Sequence, residues 1–157
     1  PVIAQNIYNI ITRDIENELI PCLKHFDIGL MIYNILAGGL LVGKYNDGID
    51  CDTRFAREKT YRERYWNQQN INAIKRIDAF SRKYGMNIKD VSIKRCVGNE
   101  GIDSCIIGVS SIEQLKDIIN ISACTDLPNE IIEQCDNEWF NMSGKRQFYG
   151  RYFRRRL

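Results

Sequence analysis

The chain is poor in the residues that build metal centres and disulfide frameworks. It has one histidine, His25, and none of its six cysteines sits in a C-x-x-C pair. A zinc site assembled from protein ligands therefore lacks both donors and spacing. The cysteines, at 22, 51, 96, 105, 124 and 135, lie in or beside apolar patterns, where a thiol behaves as a small hydrophobe. That usage predicts a reducing compartment without disulfides. His25 closes a helical pattern, where a cation suits the helix dipole, so its expected role is structural. No apolar run approaches the roughly 20 residues that cross a bilayer. The net charge of +2 is too small to argue for a nucleic acid or a membrane surface. No signal peptide or transit segment is recognisable at the start, and a cytoplasmic location is expected. The chain has no initiator methionine and opens directly in an apolar segment, Pro1 to Asn9, as a piece of something longer would.

What the chain does have is a stretch around which the rest is organised, Gly29 to Tyr45. The apolar, partly β-branched run Leu30 to Tyr33 has the length and composition of a fully buried strand. It passes through Asn34 into a small-residue loop holding Gly38, Gly39 and Gly43, closed by Lys44. Such a loop at the carboxyl end of a strand is suited to cradling a phosphate, since no Cβ keeps an anion from the backbone N–H groups. Glycines there also serve as plain turn formers, and neither the P-loop nor the Rossmann spacing is present.

Val2 to Ile7 reads as a first buried strand, and Gly101 to Gly108 leads into a third. Thr12 and Asp14 are capping candidates for a helix to about His25, with Ile15, Leu19, Cys22 and Leu23 inward and Pro21 kinking or shortening it. Residues 45–60 are polar and read as a long surface loop, the kind that carries function. Tyr61 to about Tyr84 is predicted helical, with Ile71, Ile74, Ile77 and Phe80 inward and Gly85 as C-cap. Lys89 to Val97 fits another helix, ending at Gly98. Ser111, with Gln114 three residues on, is a capping-box start for a further helix, whose free N–H groups also suit an anion. Pro128 precedes a last amphipathic helix with Ile131, Ile132, Cys135 and Trp139. The tail Gly150 to Leu157 holds four arginines and two aromatics; it offers a contact for RNA or an acidic partner, but such tails are more often solvated or folded over their own protein. By length the chain is a single domain.

Strand–helix repetition of this kind predicts a parallel α/β sheet with its site at the carboxyl ends of the strands. Gln5, Tyr33, Asn34, Gly38, Lys44, Ser110 and Ser111 all fall at or just beyond those ends.

The segment Tyr33-Asn-Ile-Leu-Ala-Gly-Gly-Leu-Leu-Val-Gly-Lys-Tyr45 resembles the strand-seven motif of aldo-keto reductases. Gln5 with Tyr8-Asn9 is similar to the family's strand six, and Ile107-Gly-Val-Ser-Ser-Ile-Glu-Gln114 to its strand eight and the following helix. Asn34 after Tyr33, Arg54-Phe55, Tyr61 to Trp66 and Tyr152-Phe-Arg154 resemble the aflatoxin-aldehyde and succinic-semialdehyde reductase group. The resemblance implies the C-terminal portion, about strands six to eight, of a (β/α)8 barrel, with residues 141–157 as a substrate-side tail. It implies NADPH as cofactor: Gln5 on the nicotinamide carboxamide, Tyr33 stacked on the ring, and Asn34, Leu36, Ala37, Gly38, Gly39, Leu40, Gly43 and Lys44 around the pyrophosphate with Arg54. Gly108, Ser110, Ser111 and Gln114 would hold the adenosine 2′-phosphate end. Tyr61, Arg64 and Arg154 match positions that face an aldehyde or ketone substrate. In the family the pro-R hydride of C4 goes to the carbonyl carbon and a tyrosine protonates the oxygen.

The chain departs from the family pattern in four places. Ile35 stands where a proline is usual, Asp117-Ile118 where the last cofactor helix has Glu-Asn or Gln-Asn, and 155–157 extend beyond where close relatives usually stop. A complete barrel takes about 250 residues, and no residue here corresponds to the Asp-Tyr-Lys-His catalytic tetrad. Two expectations result. One is the cofactor-binding part of an NADPH-dependent reductase, completed by a missing N-terminal half-barrel or a partner chain, with a homodimer as one form. The other is a non-catalytic half-barrel remnant serving as a structural or NADP(H)-binding subunit. Membrane partners are not expected, and RNA binding through the tail is the weakest reading.

Overall fold

A strand turns successive side chains to opposite faces, and here that alternation gives each apolar run one covered side and one open side. The computed structural model describes residues 1–43 and 54–143. Strands β1 (Ile3–Ile7), β2 (Gly29–Tyr33) and β3 (Ser104–Ile106) form one parallel sheet in the order β1-β2-β3. Ile7 pairs with Tyr33 and Tyr33 with Ile106, so the three carboxyl ends stand level. Asp103 extends the β2–β3 pairing, its amide donating to the Leu30 carbonyl at 2.9 Å and its carboxylate accepting from the Leu30 amide at 2.6 Å.

The covered face carries Leu30 and Ile32, packed with Ile20, Leu23, Ile93, Cys96 and Ile118. The opposite face carries Ile3, Gln5, Met31, Tyr33, Ser104 and Ile106 in register. Ile3 is 50 % and Ile106 42 % exposed there. The expectation of fully buried strands is thus corrected: all three are covered on one side only, and β1 and β3 are edges.

Helix α1 (Leu19–His25) follows β1 after a separate 3-10 turn at Asp14–Glu16. The single helix expected from Thr12 or Asp14 does not form, and neither residue caps it. Pro21 falls in the first turn of α1, where a missing N–H costs no helical bond. Ile20 and Leu23 point inward, whereas Cys22 is exposed. Of the loop expected over 45–60, residues 45–53 lie outside the described residues, and the rest is largely helical. Helices α2 (Arg54–Arg57) and α3 (Lys59–Tyr65) occupy its second half, anchored by Phe55, which is fully buried.

The helix expected over 61–84 is three pieces: the end of α3, α4 (Gln68–Ser81) and a 3-10 turn at Arg82–Tyr84, closed by Gly85 at φ 72°. Asn67 makes the break, because its side chain accepts from the Asn70 amide at 2.9 Å and so caps α4. Helix α5 (Ile88–Val97) starts in a capping box of Asn87 with Asp90. Helix α6 (Ile112–Ser122) starts at Ser111, as the sequence predicts, and α7 (Asn129–Met142) follows Pro128. Ile131 and Cys135 bury as expected, with Ile10, Leu40, Leu41, Phe55, Tyr65, Ile74, Ile77 and Val91 in a second core. That core underpins the segment after β2, and each such aliphatic side chain contributes about 1.5–3 kcal/mol by leaving water.

Candidate functional site

The chain must turn at once after Tyr33 to reach the second core, and the turn uses the left-handed region repeatedly. Asn34 has φ 62°, Ala37 48°, Gly38 68° and Gly39 104°. Asparagine and glycine accept that conformation readily, while Ala37 is held in it by complete burial and by its amide bond to the Asn34 carbonyl at 2.9 Å. Asn34 is the hub. Its Oδ1 accepts from the Gly38 amide at 2.7 Å, its Nδ2 donates to the Tyr65 hydroxyl at 2.6 Å, and its carbonyl accepts from Asn9 Nδ2 at 3.1 Å. The Gly39 and Leu41 amides both donate to the Leu36 carbonyl, at 2.9 and 3.2 Å.

The Gly38 and Gly39 amides are therefore engaged within the loop. What the glycines supply is the left-handed turn and a close approach: a Cβ on Gly38 would lie 2.5 Å from Tyr61 Cδ1. Tyr65 fixes the turn from below, and burial raises its phenol pKa, partly offset by Arg64 beside it.

Above this turn lies a groove of about 760 Å3, within the roughly 300–1,000 Å3 of small-molecule sites. It is drawn from four segments: the turn after β2, Tyr61 on α3, Lys89 on α5, and Ile106 to Ile118. Its far end is organised by the start of α6. Ser111 Oγ accepts from the Gln114 amide at 3.2 Å, and Gln114 Oε1 accepts from the Ser110 amide and hydroxyl at 3.0 and 3.1 Å. The reciprocal half of the expected capping box is thus made one residue early, at Ser110.

Tyr33, Asn34, Leu36, Gly38, Gly39, Tyr61, Gly108, Ser110 and Gln114 all line the groove. Tyr33 is 38 % exposed there, with its ring at the rim. Gln5 stands two residues below the rim on the open sheet face, exposed and opposite Met31. Ala37 and Leu40 point into the core, Gly43 ends the turn at φ 80° beside Ile88, and Ser111 serves as the cap. Arg64 is exposed on α3 beside Tyr65, away from the lining. Lys44, the side chain of Arg54 and Arg154 lie outside the described residues.

The sequence reading missed Lys89, whose Nζ donates to Asp117 Oδ2 at 2.5 Å across the groove wall. It also missed the apolar ledge of Val42, Ile106, Ile107 and Val109. Ile118 at 4 % exposure turns largely into the core. The only sequence signal for Lys89 was its place at a helix start.

Away from the groove, the buried Tyr8 hydroxyl donates to Glu16 at 2.5 Å and accepts from Asn99 Nδ2 at 3.1 Å. Glu16 also receives two bonds from Arg13, at 3.0 and 2.9 Å. Burial, then Glu16, pushes the Tyr8 phenol pKa far up, so the hydroxyl keeps its proton as a donor. Among the described residues no group of His, Cys, Asp and Glu is arranged to hold a metal ion, and no helix is long and apolar enough to cross a membrane.

The groove can thus present an aromatic ring, a tight glycine turn and a capped helix start to one elongated polar ligand. Comparison with known proteins gives these parts a context. The model of the aldo/keto reductase family matches residues 1–139. Aflatoxin B1 aldehyde reductase member 2 of Mus musculus is 36 % identical over 158 positions, covering 88 % of this chain and 42 % of that protein. Human aldo-keto reductase family 7 member A3 is 33 % identical, at 88 % and 47 %. A probable voltage-gated potassium channel subunit beta of Arabidopsis thaliana is 30 % identical, at 82 % and 40 %. In structure the chain is similar to a glycerol dehydrogenase from Gluconobacter oxydans, with a TM-score of 0.68. At 17 % identity, over 87 % of this chain and 41 % of that one, this is a likeness of fold. The chain spans less than half the length of these curated relatives. On the family match, which spans most of its length, the chain belongs to the aldo/keto reductase family.

Proposed function

We propose that this chain is the cofactor-binding part of an NADPH-dependent reductase that converts an aldehyde or ketone to an alcohol, and that it forms about strands six to eight of a (β/α)8 barrel. The observation that carries this reading is the groove itself. Three level strand tips bring an exposed tyrosine ring, a left-handed glycine turn and a capped helix start to one trough.

The residues present fit a dinucleotide. Tyr33 would face the nicotinamide, with Gln5 on its carboxamide. The pyrophosphate would lie over the turn, where Gly38 and Gly39 leave no Cβ in the way. Gly108, Ser110 and Gln114 would meet the adenosine phosphate near the α6 start. Since the Gly38 and Gly39 amides are engaged internally, the turn contributes shape, and charge neutralisation falls to side chains and the helix end. Lys44 and Arg54 are assigned that task. When bound, the nicotinamide supplies hydride; this chain's residues bind and orient it and keep water from one of its faces. Tyr61, Arg64 and Arg154 are the proposed substrate-side residues. The proton donor would come from the remainder of the barrel, in the same polypeptide or a partner.

Titration with NADPH, followed by its fluorescence, tests the binding. The expected result is a saturable change that is lost or strongly weakened in Tyr33→Ala. No change at high NADPH would overturn the reading. The intact mass of the native polypeptide tests the barrel, since closure requires about 250 residues.

A second reading is a non-catalytic half-barrel acting as a structural or NADP(H)-binding subunit. The similarity to proteins named as probable voltage-gated potassium channel subunits beta favours the subunit role, and Ile35, Ile118 and the basic tail favour the loss of catalysis. A native product near 157 residues that binds NADPH without reducing aldehydes would establish it.

A further inference from the structure

The two charged side chains among the groove's described lining residues are tied to each other. Among its described lining residues, Lys89 and Asp117 are the only charged ones, and they meet at 2.5 Å. They come from different helices: Lys89 from the first turn of α5, Asp117 from the middle of α6, three residues after Gln114. The Asp117 side chain is 48 % exposed and that of Lys89 26 %, so neither is buried for packing. An exposed pair of this kind holds only weakly, because water and salt compete for both partners. A ligand that is uncharged at this end leaves the pair intact. A phosphate there either recruits Lys89 away from Asp117 or lies against a bare carboxylate. Its multiple oxygens and double charge make it the stronger partner for an ammonium.

We propose that Lys89 and Asp117 form an exchange switch by which the groove discriminates a dinucleotide phosphorylated on its adenosine ribose from one that is not. The phosphate takes Lys89 from Asp117, and Asp117 in turn limits how tightly that dinucleotide binds. This rests on the reading of the groove as an NADP(H) site.

NADPH and NADH titrations of the wild type, Lys89→Met, Lys89→Arg and Asp117→Asn, each with its thermal midpoint, test the switch. Lys89→Met is expected to weaken NADPH about tenfold, the scale of one charge-assisted contact, and to change NADH by less than about twofold. Asp117→Asn is expected to tighten NADPH severalfold and leave NADH unchanged, and Lys89→Arg to restore most of the NADPH affinity. Equal losses for both cofactors together with a lower midpoint would make the pair a helix–helix staple and overturn the proposal. So would weaker NADPH binding by Asp117→Asn, a variant that decides the matter even where Lys89→Met does not fold. Absence of binding by either cofactor in the wild type would overturn the NADP(H) reading itself, and the switch with it.

Discussion

Gly38 is the residue at which one added methyl group has the clearest consequence. Its φ of 68° and the Tyr61 ring atom 2.5 Å from where a Cβ would stand act together. Left-handed strain costs about 1–2 kcal/mol, and displacing a packed ring adds about 1–3 kcal/mol. Gly38→Ala is expected to lower stability by about 2–5 kcal/mol, read as a shift in the urea midpoint at unchanged slope. Thiol chemistry separates the cysteines in the same local way. Cys96 and Cys135 are fully buried, and burial pushes the Cys135 thiol up to about 11, whereas Cys22 and Cys124 are exposed. Alkylation in the native state, mapped by peptide mass, is expected at Cys22 and Cys124 and not at Cys96 or Cys135 until the protein unfolds.

At the scale of elements, ion pairs divide by burial. Helices α4 and α7 are joined by Arg76, which grips the buried Glu138 with two bonds of 2.7 and 2.6 Å. On α3, Lys59 and Glu63 form a solvated pair at 3.5 Å. Arg76→Ala leaves a buried carboxylate with, among the described residues, only Gln134 bonded to it, and about 1.5–3 kcal/mol of stability is expected to go. Lys59→Ala is expected to cost less than about 0.5 kcal/mol. Equal midpoint shifts in urea would contradict this division. Element ends were legible where a side chain signals them locally: Ser111 for α6, Gly85 after α4, Gly98 after α5. The break at Asn67 was equally local but was masked by the apolar spacing running through it. The α2 helix was not legible, because a single aromatic, Phe55, decides it by burial against residues far away in sequence.

For the molecule as a whole, alkaline pH is the natural stress. The folded pKa values of Tyr8, Cys96, Cys105 and Cys135 are all raised by burial, those of Cys105 and Cys135 up to about 11 from an ordinary 9.0. At high pH the folded state therefore retains protons that the unfolded state releases. Stability is complete below the unfolded thiol pKa and falls as pH rises through about 9 to 11, by about 1.4 kcal/mol per pH unit for each group titrating. Urea midpoints at stepped pH are expected to drop over that interval, and Tyr8→Phe to flatten the portion above the ordinary phenol value. The open sheet face is the second property at this scale. Ile3 and Ile106 lie exposed on it, Ile106 beside Tyr33 at the rim and Ile3 at the opposite end of β1. The 157-residue chain by itself is expected to bind the dye ANS, and Ile3→Ser with Ile106→Ser to reduce that binding with little change in unfolding midpoint.

Periodicity and local chemistry were enough to read a parallel α/β sheet, the glycine turn after its second strand and the start of α6 at Ser111, since these depend on neighbours a few positions away. Which face of each strand is covered, the inward direction of the Gly38 and Gly39 amides, and the meeting of Lys89 with Asp117 required the packed structure. Those outcomes are set by contacts between segments distant in the chain, and no local pattern encodes a distance across space.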